Sequence, residues 1–80
     1  MKLIPVQSSQ LVGIAYQPGH TKFYIQFQNG SVYEYDGGQD TAEIITEILF
    51  ANSPGTTFSR LKADLPYLKI ENPEELDLHV

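Results

Sequence analysis

With 80 residues, the chain is too short for more than one domain, and its lack of cysteine excludes disulfides and thiolate metal sites. The net charge of −5 argues against a strong non-specific nucleic-acid binder, because phosphate binding usually depends on a basic field. No stretch approaches the roughly 18 apolar residues of a membrane span, and the start lacks the pattern of a secretory signal. We therefore expect a cytoplasmic protein without membrane partners.

The first ten residues combine a short apolar run with a serine pair. Residues 1–6 are apolar enough for a short strand, and Pro5, which has no amide hydrogen, favours a sheet edge. Ser8 and Ser9 predict a turn whose hydroxyls bond nearby backbone groups. A nucleophilic serine is the weaker interpretation, because no base accompanies the pair at a motif spacing.

Residues 11–16 predict a strand, and residues 22–35 predict a β-hairpin around Asn29-Gly30. A two-residue type I′ turn needs positive φ at both central positions, which Asn and Gly tolerate best. That turn places Phe27 opposite Val32, and successive side chains alternate between faces. One face then carries Phe23, Ile25, Phe27 and Val32, and the other carries Tyr24, Gln26, Gln28, Ser31, Tyr33 and Tyr35.

The loop at residues 17–20 connects the first of these strands to the hairpin. It fits a type II turn or a four-residue loop, and both pair Ile14 with Phe23 and Val12 with Ile25. The apolar positions of the three strands then share one face. We therefore predict an α+β fold with a three-stranded antiparallel meander, which extra edge strands can extend and helices cover on one face.

Two helices are predicted after the hairpin. Asp40 and Glu43 resemble a capping box before an apolar stripe, which predicts a main helix over residues 41–51. Phe58, Leu61 and Leu65 recur at intervals of three and four residues, which predicts a short second helix within residues 56–65 and favours a core role for these side chains.

The last part of the chain is extended and then acidic. Residues 67–70 fit a final edge strand or an extended segment after Pro66. Residues 71–80 are acidic and contain Pro73, which predicts a loose tail. We predict one domain over residues 1–70, followed by an acidic C-terminal tail at residues 71–80.

No catalytic or metal-binding set is evident. His20 lies in a turn and His79 in the tail, so nothing pairs them as metal ligands. The predicted register points Glu34 towards the apolar face, where exposure or an ion pair with Lys2, Arg60 or Lys62 is favoured over catalysis. Phosphate loops, dinucleotide-binding fingerprints and hydrolase motifs are missing. We therefore interpret the chain as a non-enzyme without a cofactor.

The predicted face that carries Tyr24, Tyr33 and Tyr35 has three interpretations. The rings form a stacking platform for single-stranded RNA, or a protein-contact patch, since Tyr is enriched at interfaces. In the third interpretation, the N-terminal segment or the residues after Gly55 cover the rings, which then belong to the core.

The arrangement of motifs resembles the KTSC family, small bacterial and phage domains named for an extension at the C-terminus of some lysyl-tRNA synthetases. The family pattern has Ser-Ser, a Gly/Tyr-containing strand, a Phe-x-Asn-Gly-x-Val-Tyr-x-Tyr hairpin, a helix, and Ser-x-Gly with an aromatic three residues beyond the glycine. The corresponding segments here are Ser8-Ser9, Ile14-Ala15-Tyr16, the hairpin from Phe27 to Tyr35, Ala51-Asn52-Ser53-Pro54-Gly55 and Phe58.

The resemblance covers about residues 5 to 65. The KTSC family has no established activity, and RNA binding has been suggested for it from its attachment to synthetases. Pro54 stands where family members often carry Lys, and Asp64 follows Arg60 and Lys62, so this chain has fewer basic positions. We therefore favour a protein-interaction module of phage or prophage origin, with an RNA-binding accessory domain as the alternative. The candidate binding residues are Tyr24, Gln26, Tyr33, Tyr35, Arg60 and Lys62.

Overall fold

The computed structural model describes residues 1–80. Five antiparallel strands form one sheet, and their order across the sheet is the same as their order along the chain. Two α-helices follow the fourth strand, and short 3₁₀ turns flank them. The strands are β1 (Leu3–Pro5), β2 (Leu11–Tyr16), β3 (Lys22–Phe27), β4 (Val32–Asp36) and β5 (Tyr67–Lys69). The helices are α1 (Thr41–Leu49) and α2 (Pro54–Leu61).

The α+β class is confirmed, but the predicted number of three strands is too low. The predicted meander is β2, β3 and β4, and the sheet continues with β1 at one edge and β5 at the other. Each added strand has three residues. A run this short is too brief for a period-two pattern to separate a strand from an extended loop.

The turn at Asn29-Gly30 is longer than predicted. The Gly30 amide donates to the Phe27 carbonyl at 2.9 Å, and the Phe27 amide donates to the Ser31 carbonyl at 2.8 Å. Gly30 has a φ of +91°, whereas Asn29 is not among the residues with positive φ. These features describe a type I turn followed by a left-handed glycine that forms a bulge, not a type I′ turn.

This turn shifts the hairpin pairing by one residue. Ile25 pairs with Tyr33, and Phe23 pairs with Tyr35. The prediction that Tyr24 pairs with Tyr35 is therefore wrong. Side chains of β3 keep their predicted faces, but every side chain of β4 moves to the other face. The three tyrosines of the hairpin do not share a face.

A bulge in β2 changes which of its residues enters the core. Ile14 pairs with Ile25 and not with Phe23 as predicted. Because these two partners are two residues apart and share a face, Ile14 still lies on its predicted face. The register changes between Leu11 and Gly13. As a result, Leu11 pairs with Phe27 and is fully buried, whereas Val12 is only half-buried.

Both helices pack on the Ile25 face of the sheet. Helix α1 begins at Thr41 as predicted, although Asp40 makes no side-chain capping hydrogen bond, and the Thr41 hydroxyl donates to the Thr21 carbonyl at 2.7 Å. Helix α2 begins at Pro54, two residues before its predicted range, and continues into a 3₁₀ turn. The buried core between the layers contains Leu11, Ile14, Phe23, Ile25, Tyr35, Ile45, Ile48 and Phe58.

The segment from Ile70 to His79 runs from one edge of the sheet to the other, whereas the sequence predicted a loose tail. At one end, the Ile70 amide donates to the Val32 carbonyl at 2.9 Å. At the other, the Leu3 amide donates to the His79 carbonyl at 2.6 Å. Because β5 and β1 are opposite edges, the residues between must cross a face of the sheet. We call residues 70–79 the C-terminal strap.

The strap covers the face opposite the helices. Leu3, Ala15 and Val32 lie on that face by register, and they are 3%, 0% and 0% exposed. They do not belong to the core cluster beneath the helices. The sheet is therefore covered on both faces, by helices on one and by the strap on the other.

Candidate binding cleft

A cleft of about 630 Å³ opens between the helix-covered face of the sheet and the residues that follow α2. We call it the aromatic cleft. The hairpin turn supplies one wall, β4 and β5 supply the floor, and the 3₁₀ turn after α2 supplies the other wall. The lining residues are Phe27, Asn29, Ser31, Tyr33, Tyr35, Lys62, Ala63, Leu65, Tyr67 and Lys69.

The shifted register brings Tyr33 and Tyr35 into this cleft, side by side on β4. Tyr35 is 5% exposed and packs edge-on against Phe58 of α2, with ring centroids 5.1 Å apart. Tyr33 is half-buried, and its ring lies 5.6 Å from Phe27 and 6.0 Å from Tyr67. Tyr35 is thus the buried base of the cleft, and Tyr33 and Tyr67 present their rings closer to solvent.

The buried position of Tyr35 also affects its titration. Desolvation raises the pKa of Tyr35 above 10.0, and charge repulsion from the Tyr33 and Tyr67 phenolates, when these ionise, raises it further. Tyr35 is therefore a neutral hydroxyl at physiological pH. The third interpretation of the sequence, in which residues after Gly55 cover the tyrosine rings, holds for Tyr35, because Phe58 packs against its ring.

The cleft is positively charged although the chain is acidic. Lys62 and Lys69 line it, and none of its lining residues carries a carboxylate. The Lys62 ammonium lies 5.6 Å from the centroid of the Phe58 ring, within the range of a cation–π contact. Neither lysine forms a salt bridge, whereas Lys22 and Arg60 each have a carboxylate partner. Two of the three unpaired cationic side chains of the chain therefore face the same cleft.

The candidate residues predicted from sequence lie in three places in the structure. Tyr33, Tyr35 and Lys62 come together in the aromatic cleft. Tyr24 and Gln26 lie on the opposite face of the sheet, beside Ala15 and Gly13. Arg60 lies on α2 but bonds Glu47 of α1.

Glu34 lies on the same face as Tyr24 and not on the apolar face as predicted. Its carboxylate accepts a hydrogen bond from the Tyr24 hydroxyl at 2.8 Å and lies 3.5 Å from the Lys22 ammonium. Desolvation, followed by the hydrogen bond and charge of Glu34, raises the pKa of Tyr24. The predicted ion pair therefore exists, but its cation is Lys22.

Sequence reasoning missed the contribution of β5. Tyr67 pairs with Tyr35, and Lys69 pairs with Tyr33, so both β5 side chains face the cleft. The spacing of Tyr67 and Lys69 with Leu68 between them is a period-two signal, but it spans only three residues. The predicted hairpin register also concealed the cleft, because it placed Tyr33 and Tyr35 on the opposite face of the sheet.

The serine pair and the Ser-x-Gly segment meet behind the cleft. The Ser8 hydroxyl accepts hydrogen bonds from the amides of Gln10 and Leu11, at 3.0 and 3.1 Å, as the sequence predicted for a turn. A Cβ at Gly55 would lie 2.8 Å from the Ser8 Oγ. The glycine therefore allows α2 to approach the N-terminal turn, and both motifs position α2 against the sheet.

The cleft offers aromatic ring faces and ammonium donors to a ligand. This combination suits an extended ligand with negative charge and apolar or planar groups. The structure has no group of three or more His, Cys, Asp or Glu side chains that could hold a metal ion. None of its helices has the length and apolar character needed to cross a bilayer.

Comparison with known proteins gives one family. The family model of the KTSC domain matches residues 7–61, more than half of the chain. None of the curated proteins matches the chain. The matched range includes the serine turn, β2 to β4, α1 and α2, and it contains five of the ten residues that line the aromatic cleft. The other five, from Lys62 to Lys69, follow the matched range. The chain therefore belongs to the KTSC domain family.

Proposed function

We propose that this chain is a non-catalytic binding module that recognises an acidic segment of a partner protein in the aromatic cleft. The observation that carries the proposal is the pair of unpaired lysines, Lys62 and Lys69, in a cleft without carboxylates. In a chain of net charge −5, cationic side chains without partners are few, and this cleft collects two of them. An acidic peptide would supply the missing carboxylates.

The rings support the same proposal. Tyr is enriched at protein interfaces because its ring buries apolar area at a small cost in side-chain entropy. Tyr67 is 68% exposed and Tyr33 is half-buried, so both have area left to bury against a ligand. Tyr35, which is buried, orients its neighbours rather than contacting a partner.

Single-stranded RNA is the second candidate. The centroids of the Tyr33 and Tyr67 rings lie 6.0 Å apart, in the cleft that Lys62 and Lys69 also line. Proteins that bind single strands stack the bases on aromatic side chains of a sheet and contact the phosphates with nearby cations. The acidic remainder of the chain opposes this candidate, because the negative field repels the phosphate backbone.

The test is a fluorescence anisotropy titration with three labelled probes. These are a heptapeptide of alternating Glu and Val, the same peptide with Lys in place of Glu, and a single-stranded uridine octamer. We expect the acidic peptide to bind at least about tenfold more tightly than the basic one, with an affinity that falls as salt rises. Binding of the octamer at low salt, weakening steeply with salt, would instead support the RNA candidate.

Charge-matched variants locate the site. Lys62→Gln combined with Lys69→Gln should weaken the acidic peptide by about 2- to 30-fold, because two partly exposed ion pairs are lost. The control combines Lys2→Gln with Arg60→Gln, which removes the same charge outside the cleft and should leave binding almost unchanged. Equal losses in both variants would contradict a site in the aromatic cleft.

A further inference from the structure

The two edges of the sheet are unequal. The outer edge of β1 is occupied, because Lys2 forms a parallel bridge with His79 of the C-terminal strap. The outer edge of β5 has no neighbouring strand. All three residues of β5 are exposed, and Leu68 is 60% exposed. The chain therefore leaves one edge open, next to the aromatic cleft.

The pairing of β5 with β4 shows which backbone groups of β5 are free. The Asp36 amide donates to the Pro66 carbonyl at 3.1 Å, and the Ile70 amide donates to the Val32 carbonyl at 2.9 Å. In an antiparallel pair the hydrogen-bonded positions alternate, so Leu68 also bonds β4. The amides and carbonyls of Tyr67 and Lys69 therefore point away from β4, towards the open edge.

The same two residues point their side chains into the cleft. Tyr67 and Lys69 both line it, so a strand paired with the open edge would place alternate side chains beside the Tyr67 ring and the Lys69 ammonium. A second copy of this chain is a poor occupant, because the edge segment from Pro66 to Ile70 contains no carboxylate to meet Lys62 and Lys69.

We propose that β5 is a docking strand, to which an extended acidic peptide of a partner protein adds as a sixth strand. The peptide backbone bonds the outward amides and carbonyls of Tyr67 and Lys69, and its acidic side chains meet Lys62 and Lys69. This inference rests on the proposed function and specifies how the ligand of the aromatic cleft is held.

The direct test is amide hydrogen exchange followed by NMR, with and without the Glu/Val heptapeptide. In the free protein we expect fast exchange at Tyr67 and Lys69 and slower exchange at Leu68, which bonds β4. At saturating peptide, exchange at Tyr67 and Lys69 should slow by at least about tenfold, because their amides become hydrogen-bonded. Leu68 should change little.

Two substitutions at one position separate the backbone bond from the charge. Lys69→Ala removes the ammonium, and Lys69→Pro also removes the outward amide. Proline is tolerated at an edge position whose amide faces solvent, so β5 should still pair with β4. We expect Lys69→Pro to bind the peptide about 2- to 10-fold more weakly than Lys69→Ala, which corresponds to one lost hydrogen bond.

The outcomes are distinguishable. If the peptide binds and Lys62 matters, but Tyr67 and Lys69 stay unprotected or the two variants bind equally, the docking strand is wrong and the cleft proposal survives. If no acidic peptide binds, both proposals fail. Protection of Tyr67 and Lys69 that grows with protein concentration, without peptide, would make a second copy the occupant and overturn the proposal.

Discussion

Tyr24 and Tyr35, the two tyrosines with raised pKa values, lie on opposite faces of the sheet. Burial is the main cause at both, and Glu34 adds to it at Tyr24. The folded state therefore holds these protons more tightly than the unfolded chain. Their contribution to stability is complete below the unfolded pKa, near 10.0, and is lost as the pH rises towards the folded values.

We therefore predict that the free energy of unfolding falls as the pH rises above about 9, where tyrosines of the unfolded chain begin to ionise. Tyr35→Phe keeps the ring and removes the titrating hydroxyl, so its stability should fall less steeply over this range. Tyr24→Phe should behave in the same way. Urea unfolding at several pH values measures this dependence. A wild-type slope equal to that of both variants would show that neither proton is held more tightly in the folded state.

At the scale of elements, the sequence predicted the hairpin, both helices and the meander, but not the faces of β4. Asn29-Gly30 fits a type I′ turn and equally a type I turn with a bulge at Gly30, and the two differ by one residue in loop length. Because side chains alternate between faces, the additional loop residue shifts the register by one and places Tyr33 and Tyr35 on the helix-covered face. The same change places Val32 on the opposite face, and because Val32 is fully buried there, that face needs a cover of its own.

Because α2 packs against the serine turn, we expect Gly55→Ala to lower the free energy of unfolding, whereas the same change in an ordinary helix raises it. Gly→Ala in a helix usually stabilises by about 0.5–1 kcal/mol. At Gly55 the added methyl meets the Ser8 Oγ, which is held by two amides, so Gly55→Ala should destabilise by about 1–3 kcal/mol. Denaturant unfolding of Gly55→Ala, Ser8→Ala and the double variant forms a cycle. The double variant should lose less than the sum of the two, and simple additivity would contradict the contact.

At the scale of the whole molecule, the C-terminal strap gives the sheet a buried face on each side, one under the helices and one under the strap. The sequence could not predict this, because the half-buried Leu76 and Leu78 alternate with acidic residues over a run too short to distinguish a packed segment from a solvated one. The strap also lies beyond the range matched by the family model, which ends at residue 61. Both of its ends are nonetheless hydrogen-bonded to the sheet, at the Val32 carbonyl of β4 and at the Leu3 amide of β1.

Deleting residues 71–80 should therefore expose Leu3, Ala15 and Val32 and lower the free energy of unfolding by about 2–4 kcal/mol, since several apolar side chains return to water. Deleting only Val80, which is 79% exposed, is the matched control and should have almost no effect. Thermal and urea unfolding of the two truncated chains measures the difference. Equal stability would indicate a loose tail.

The measurement that most directly tests the proposed binding site is NMR chemical-shift mapping during titration with the acidic heptapeptide. The shifts should concentrate on the backbone amides of Ser31, Tyr33, Lys62, Tyr67 and Lys69, which line the aromatic cleft. The amides of Tyr24 and Gln26 lie within the same sheet, so side-chain signals must distinguish the faces. The ring protons of Tyr33 and Tyr67 should shift while those of Tyr24 stay unchanged. Shifts centred on the Tyr24 ring, with the cleft tyrosines unaffected, would contradict the account.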